Sequence, residues 1–405
     1  MTLASASDPA VAEAAGTRDE RRAFGVAAGA HALHDGYTDL IYVMLPIWQA
    51  EFGLGYAALG LLRGLFTGTM AGFQIPSGFL AERVGLPLVL AAGTALAGAG
   101  FCLAGMSAGL PLLLAALVLG GLGSSTQHPL ASSLVARAYQ GVRSLKALGA
   151  YNFAGDIGKM TVPALASLML ILLPWRPTLA LLGAVGFVAA AAIFLLTPRY
   201  AAPLPSSETN ESQPIASGRR RGRGGFNILL TIGVLDSATR MAFLTFLPFV
   251  LLAKGAGLPT IGLALTLVFA GGAAGKLVCA FIGARIGVIA TVCLTEGLTI
   301  AGILALLPLP LVGAMAILPV IGVALNGTSS VLYGSVPELV EPERRARAFG
   351  IFYTGTIGAG ALAPVIYGFV GDVLGVPTSL MIVAAMLLLT LPLALALRPE
   401  LPRAA

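Results

Sequence analysis

Apolar residues run almost unbroken for about twenty positions, give way to a short polar or glycine- and proline-containing break, and resume, along most of this chain. Runs of that length match the ~20 residues with which a helix crosses a bilayer. The pattern predicts about twelve such segments, at 24–48, 57–80, 87–107, 110–136, 147–173, 177–197, 226–252, 260–283, 288–307, 311–336, 346–370 and 375–397. The first follows a polar stretch with no small-residue cleavage site after a short apolar core, so it reads as a retained helix and not as a signal peptide.

The pattern is also written twice. At a shift of 202 positions Pro46 falls on Pro248, Gly60 on Gly262, Arg83 on Arg285 and Gly85 on Gly287. At a shift of 201, Asp35 falls on Asp236, Asp39 on Arg240, Gly149 on Gly350 and Pro163 on Pro364. A one-residue change of offset is what a small insertion or deletion in a duplicated gene leaves. The expected architecture is an all-α membrane protein of two six-helix pseudo-repeats: a tail at 1–22, a bundle at 23–197, a linker at 198–225, a second bundle at 226–397 and a tail at 398–405. Parallel duplicated halves with a site between them are an architecture of transporters.

Composition agrees, with 57% hydrophobic and 10% charged residues against roughly 25% charged in soluble domains. The linker holds Pro203, Pro205 and Pro214, a polar run from Ser206 to Ser212, and then Arg219, Arg220, Arg221 and Arg223. Such a segment buries little apolar surface. Beside a membrane its arginines read as a positive-inside signal touching lipid headgroups, not as a nucleic-acid site. With the amino terminus in the cytoplasm, most Lys and Arg residues fall on that side, and the opposite loops hold only Arg176 and Lys254. Both termini and the linker are therefore expected to face the cytoplasm, with the chain in the cytoplasmic membrane. Cys102, Cys279 and Cys293 lie in apolar segments without metal-like spacing and read as packing residues. No cofactor is implied, nothing demands an oligomer, and no nucleophile–base pair or metal-ligand pattern suggests an enzyme.

Small residues recur at helical spacing: Gly64, Gly68 and Gly72; Gly155, Gly158 and Pro163; Gly355, Gly358, Gly360 and Pro364. Close backbone contact through such faces is what packs helices in lipid. The same faces are also candidates for sliding or bending.

Ionisable residues inside the segments carry more information, since a charge at the bilayer centre costs ~3 kcal/mol or more. His31, His34, Asp35, Thr38, Asp39 and Tyr42 share one stripe of the first segment. Burial and like charge there favour exchange of protons, a coupling role, with Arg63 as the structural partner on the other reading. In the seventh segment Asp236 and Arg240 stand at i and i+4, spaced for an ion pair on their own helix. Asp156 and Lys159, beside Asn152, pose the same choice in the fifth. Lys276 takes the place that Gln74 holds in the other half. Glu296 has no evident partner. His128 follows Gly123-Ser124-Ser125 and precedes Pro129, as a cavity residue or a donor at a kink. Asn326 and Tyr353 are deep polar residues of the tenth and eleventh segments, Tyr353 being the repeat-mate of Asn152 and preferred to Tyr333.

Duplicated six-segment halves joined by a basic linker resemble the major facilitator superfamily. Gly78-Phe79-Leu80-Ala81-Glu82-Arg83-Val84-Gly85 is similar to that family's Gly-x-x-x-Asp-Arg-x-Gly loop, with Glu82 for the usual Asp and with Leu86 and Pro87 where basic residues usually follow. The resemblance implies a gating role for Gly78, Glu82, Arg83 and Gly85. Gly123-Ser124-Ser125 with His128-Pro129 and Val135-Ala136-Arg137, and His34-Asp35 with Leu45-Pro46 and Glu51-Phe52-Gly53-Leu54, resemble the fosmidomycin-resistance branch. The fifth segment reads Gly155-Asp156-Ile157-Gly158-Lys159 and lacks the Gly-Pro pair of proton-coupled drug antiporters.

The combined expectation is a monomeric secondary transporter of a small polar, anionic solute, working by proton-coupled efflux. Import of an organic anion, or export of lipophilic cations, are its alternatives; a receptor without turnover is disfavoured. Coupling falls to Asp35, Asp39, His31, His34 and Asp156. Solute contacts fall to Arg63, His128, Asn152, Lys159, Asp236, Arg240, Lys276, Asn326 and Tyr353.

Overall fold

The computed structural model describes residues 9–198, 223–341 and 344–401. The linker arginines 219–221 and most of the linker lie outside them, as do the first eight residues and the last four. The described residues form helices α1 (Pro9–Phe52), α2 (Tyr56–Val84), α3 (Leu86–Gly105), α4 (Leu110–Ser124), α5 (Gln127–Ala138), α6 (Gly141–Leu172), α7 (Trp175–Leu196), α8 (Arg223–Ala253), α9 (Leu258–Ile286), α10 (Val288–Leu306), α11 (Leu311–Leu339), α12 (Arg345–Leu374), α13 (Val376–Leu387) and α14 (Thr390–Leu397). Ten helical stretches are long and apolar enough to cross a membrane, and α1 and α2, which carry more polar residues, are not among them.

Two expected segments are each split into a helix pair, and the first break has a visible cause. Pro129 has no N–H, so the carbonyl of Ser125, four residues earlier, loses its helical donor. The Ser77 hydroxyl donates to that carbonyl at 3.2 Å, while Ser125 and Thr126 bond back to Leu122 and Gly123 at 2.7 and 3.1 Å. The twelfth segment divides likewise into α13 and α14. The first helix starts at Pro9, so much of the polar stretch before residue 23 continues α1.

The duplication is visible in the turns. Gly85 ends α2 with φ of 96°, and its repeat-mate Gly287 ends α9 with φ of 83°. Both reverse the chain within one residue, in a conformation costly for any side chain.

Apolar burial shows how the halves sit. One large core draws on both, from Tyr37, Trp48 and Phe66 to Phe243, Phe246 and Leu387. A second contains only residues of the first half, such as Leu90, Leu134 and Tyr151, and a third only residues of the second, such as Leu229, Leu332 and Phe352. The halves are joined at one end and separate at the other. At the joined end α2 lies on α12, with Gly60 against Pro364, Gly64 against Ala361 and Gly368 against Ala57. Thr266 of α9 donates to the Met160 carbonyl of α6 at 2.9 Å, and Tyr42 of α1 to the Met241 sulfur of α8 at 3.4 Å. Gly68 and Gly72 continue the Gly60–Gly64 row towards the end that carries Arg83, and a Cβ at either would meet no neighbouring group within 4 Å. The small-residue face expected at Gly64, Gly68 and Gly72 thus packs only at its first member. The cleft opens towards the end with Arg83 and Arg285.

Candidate functional site

Where the shared core divides, a cavity of about 710 Å³ lies between the halves. Its walls include His31, His34, Asp35, Asp39, Arg63, His128, Asn152, Lys159, Arg240, Lys276, Asn326 and Tyr353, so twelve of the expected coupling and solute residues converge on one space. Asp156 and Asp236 are buried and do not line it, although Lys276, the partner of Asp156, does.

In the first half three helices bring their polar residues together. The His31 Nδ1–H donates to the Tyr151 carbonyl at 3.1 Å, and the two rings stack with centroids 4.1 Å apart. The opposite nitrogen of His31 stands 3.4 Å from Asp35, and the Lys159 ammonium lies 3.3 Å from the same carboxylate oxygen. His34 and His128 meet through their Nε2 atoms at 3.3 Å. Gly155 is what lets α6 come this near: a Cβ there would fall 2.6 Å from an Asp35 oxygen and 2.8 Å from His31 Nε2. One turn along α1, Asp39 faces the Arg63 guanidinium at 3.7 Å. Arg63 also donates to Thr67 and lies 4.8 Å over the Tyr42 ring, a cation–π contact.

Two ion pairs that the spacing allows within single helices are not formed. Asp156 pairs not with Lys159 but with Lys276 of the other half, whose ammonium contacts its carboxylate oxygens at 2.6 and 2.8 Å. Lys159 turns instead to Asp35. Asp236 and Arg240 make no direct pair within 4 Å; Ser329 stands between them, accepting from Arg240 at 2.8 Å and donating to Asp236 at 3.0 Å. The spacing of four permits the pair, but α11 packs on this face and inserts its hydroxyl. Arg63 answers Asp39 but not Asp35.

The charges are therefore unevenly matched. Asp35, Asp39 and Asp156 each have a cation within 4 Å, while Arg240 has no carboxylate within that distance among the described residues. Its Nε has no partner, and neither has that of Arg63. Glu296 is 1% exposed, lies off the cavity, and has an unpartnered Oε1.

Thr67, Tyr151, Ser237 and Thr356 of the wall escaped the sequence reading, Thr38 was placed on the stripe without a role, and Tyr333 was passed over for Tyr353. Tyr333 was readable, because it follows Asn326 by seven positions and shares its helix face. Its ring lies 4.8 Å from that of Tyr353, so both tyrosines face the space. Gly78, Glu82, Arg83 and Gly85 lie away from it, at the open end, where Glu82 and Arg83 are exposed and make no ion pair among the described residues.

The family model of the Major Facilitator Superfamily matches residues 27–235 and again 229–405. A fosmidomycin resistance protein of Escherichia coli (strain K12) is 28% identical over 173 residues, 42% of this chain and 42% of that protein, so the alignment spans less than half of the relative. A bacterial homologue of the human lysosomal transporter Spinster, in an inward-facing and occupied conformation, superposes with a TM-score of 0.75 at 15% identity over 99% of this chain and 100% of its own. The nucleoside transporter NupG gives 0.73 at 14% identity, over 94% and 99%. At these identities the structures report a shared fold.

Proposed function

The chain belongs to the major facilitator superfamily, and we propose that it exports a small polar, anionic organic solute across the cytoplasmic membrane by proton-coupled alternating access. The single observation that carries the anionic reading is Arg240. It is a cavity-lining guanidinium held by Ser329, with no carboxylate within 4 Å among the described residues. A planar fork of that kind suits a carboxylate or a phosphoryl oxygen, and Arg63 offers a second from the opposite half. In this reading Asn152, Lys159, Lys276, Asn326, Tyr353 and His128 supply the remaining contacts, and Asp236 orients Ser329.

Asp35 and Asp39 carry the coupling proton, with His31, His34 and Asp156 beside them. An acid that alternates between a lysine partner and a proton links protonation to the helix that bears the lysine. Rocking of residues 23–197 against 226–397 would expose the site to each side in turn. Export agrees with the resistance named for the relative. The Lys and Arg distribution supports a cytoplasmic open end, with Glu82 and Arg83 at the gate.

Thermal unfolding of the detergent-purified protein against phosphonates, carboxylates, sugars and lipophilic cations tests this, since a ligand of the folded state raises the midpoint by mass action. Stabilisation by anions, lost in Arg240→Ala, is the expected result. Stabilisation by lipophilic cations alone overturns it.

A further inference from the structure

The chain contains only three histidines, and the fold brings all of them to one wall of the cavity. His31 and His34 come from α1 and His128 from α5, with ring centroids 5.3 Å apart for His31 and His128 and 4.8 Å for His34 and His128. One ligand atom from each of His31, Asp35 and His128 can be chosen so that all lie within 4.8 Å of one another. We propose that these three side chains bind a divalent transition-metal ion of the Zn2+, Co2+ or Ni2+ class, with an open position towards the cavity.

Separations and orientation support this. Tetrahedral ligands at ~2.0–2.1 Å from a zinc ion lie about 3.3–3.5 Å from one another. His31 Nε2 and Asp35 Oδ2 already stand at 3.4 Å. The triad closes on an ion after a contraction of up to about 1.5 Å at its widest edge, a movement for side-chain torsions to supply. His31 is oriented as metal-bound imidazoles are: its Nδ1–H is committed to a backbone carbonyl, which directs the Nε2 lone pair inward. That lone pair faces the Asp35 carboxylate at 3.4 Å, where a proton or a metal ion fits between them. His34, 4% exposed, stands beside the triad and has a buried Nδ1 without a partner. Two imidazoles and one carboxylate suit borderline ions and do not suit Mg2+ or Ca2+, which take oxygen ligands.

Lys159 is the competitor. Its ammonium sits 3.3 Å from Asp35, and its side chain is 30% exposed and lines the cavity. Metal entry therefore displaces a tethered cation, and removing that cation strengthens binding.

Purified full-length protein in chelator-free detergent is titrated with CoCl2 and ZnCl2, without any organic solute, by visible absorption and calorimetry. The expected result is one ion per chain, Co2+ bands with nitrogen ligation, and no binding of Mg2+ or Ca2+. His128→Ala and Asp35→Asn should each weaken Zn2+ at least about 100-fold, beyond what the loss of an outer-shell group costs, and Lys159→Ala should tighten it. Absence of stoichiometric binding below about 1 mM, a weak interaction of ~4 kcal/mol, overturns the proposal. So does binding that survives both ligand substitutions, or a wild-type Co2+ spectrum with oxygen ligands alone; the last is independent of how the variants fold. None of these readouts involves the transported solute, so this site and the anion reading stand or fall separately.

Discussion

Lys276 of α9 reaches across the cavity and bonds both carboxylate oxygens of Asp156 on α6, at 2.6 and 2.8 Å. It is the one ion pair between the halves among the described residues. Asp156 is buried while the lysine side chain is 38% exposed, so the pair lies between the surface and interior cases. Breaking it should cost about 1–3 kcal/mol. The two single substitutions are not equivalent. Lys276→Met strands a buried carboxylate, whereas in Asp156→Asn the ammonium swings into the cavity. Lys276→Met should therefore lower the unfolding midpoint more, and the double variant should recover most of the loss. Additive losses in that double-mutant cycle would show that the contact carries no coupling.

Among the described residues Arg240 has no carboxylate within 4 Å to release before it receives an anion. Its fork is held at one nitrogen by Ser329. Arg240→Lys keeps the charge but loses the two-pronged geometry, and Arg240→Ala loses both. A hydrogen bond to a charged group contributes about 1.5–3 kcal/mol, so the alanine variant should lose roughly 10- to 150-fold in affinity for an anion that stabilises the wild type, with lysine intermediate. Calorimetric titration of the three proteins decides it, and equal affinity for all would remove Arg240 from the solute site.

Which of these relations the sequence disclosed follows from what a one-dimensional pattern carries. The twelve-segment repeat was legible because apolar run length and paired landmarks such as Gly85 and Gly287 depend on order along the chain. Convergence of His31, Asp35, Asp39 and Arg240 on a common cavity was legible because a charge in lipid has few places to go. Pairing was not. Asp236 and Arg240 are spaced for an intrahelical bond, and only the packing of α11 on that face shows Ser329 between them. Asp156 chose Lys276, 120 residues away, over Lys159, three residues away, because helix rotation and neighbour identity leave no trace in spacing. The histidine cluster was hidden for the same reason: His34 and His128 lie 94 positions apart.

Close approach of α1 and α6 rests on glycine, and the structure supplies its own control. A Cβ at Gly158 would collide with the backbone of Ala32, which cannot move aside as a side-chain tip can. A Cβ at Gly358 on α12 would meet no neighbouring group within 4 Å. Gly158→Ala should destabilise by about 1–3 kcal/mol, as overpacked sites do, and Gly358→Ala should lie within about 0.5 kcal/mol of wild type. Equal unfolding midpoints for the two variants would contradict the packing of α6 on α1.

At the joined end the first helix turn of α2 is capped from the opposite half. The Asp372 carboxylate of α12 accepts from the backbone N–H groups of Tyr56 and Ala57, at 2.5 and 3.0 Å. The local cap residue, Gly55, has no side chain to do this. A carboxylate at a helix N-terminus satisfies free donors and opposes the helix dipole, and loss of such a cap costs about 0.5–2 kcal/mol. Here the loss falls on the joined arrangement alone, because a parted α2 takes its donors to water. Asp372→Ala should thus raise the parted population between about twofold and thirtyfold, and Asp372→Asn, which keeps one acceptor, should raise it less. Spin labels at the exposed Leu61 and Leu362, on the two facing helices, report the change as a longer-distance component in the alanine variant. Glu51→Gln is the control. Its carboxylate bonds Arg176 at 2.8 Å, at the same end but within one half, so its loss should leave the distance distribution unchanged. If Glu51→Gln matches Asp372→Ala, the effect is one of surface charge, and Asp372 does not hold the end shut.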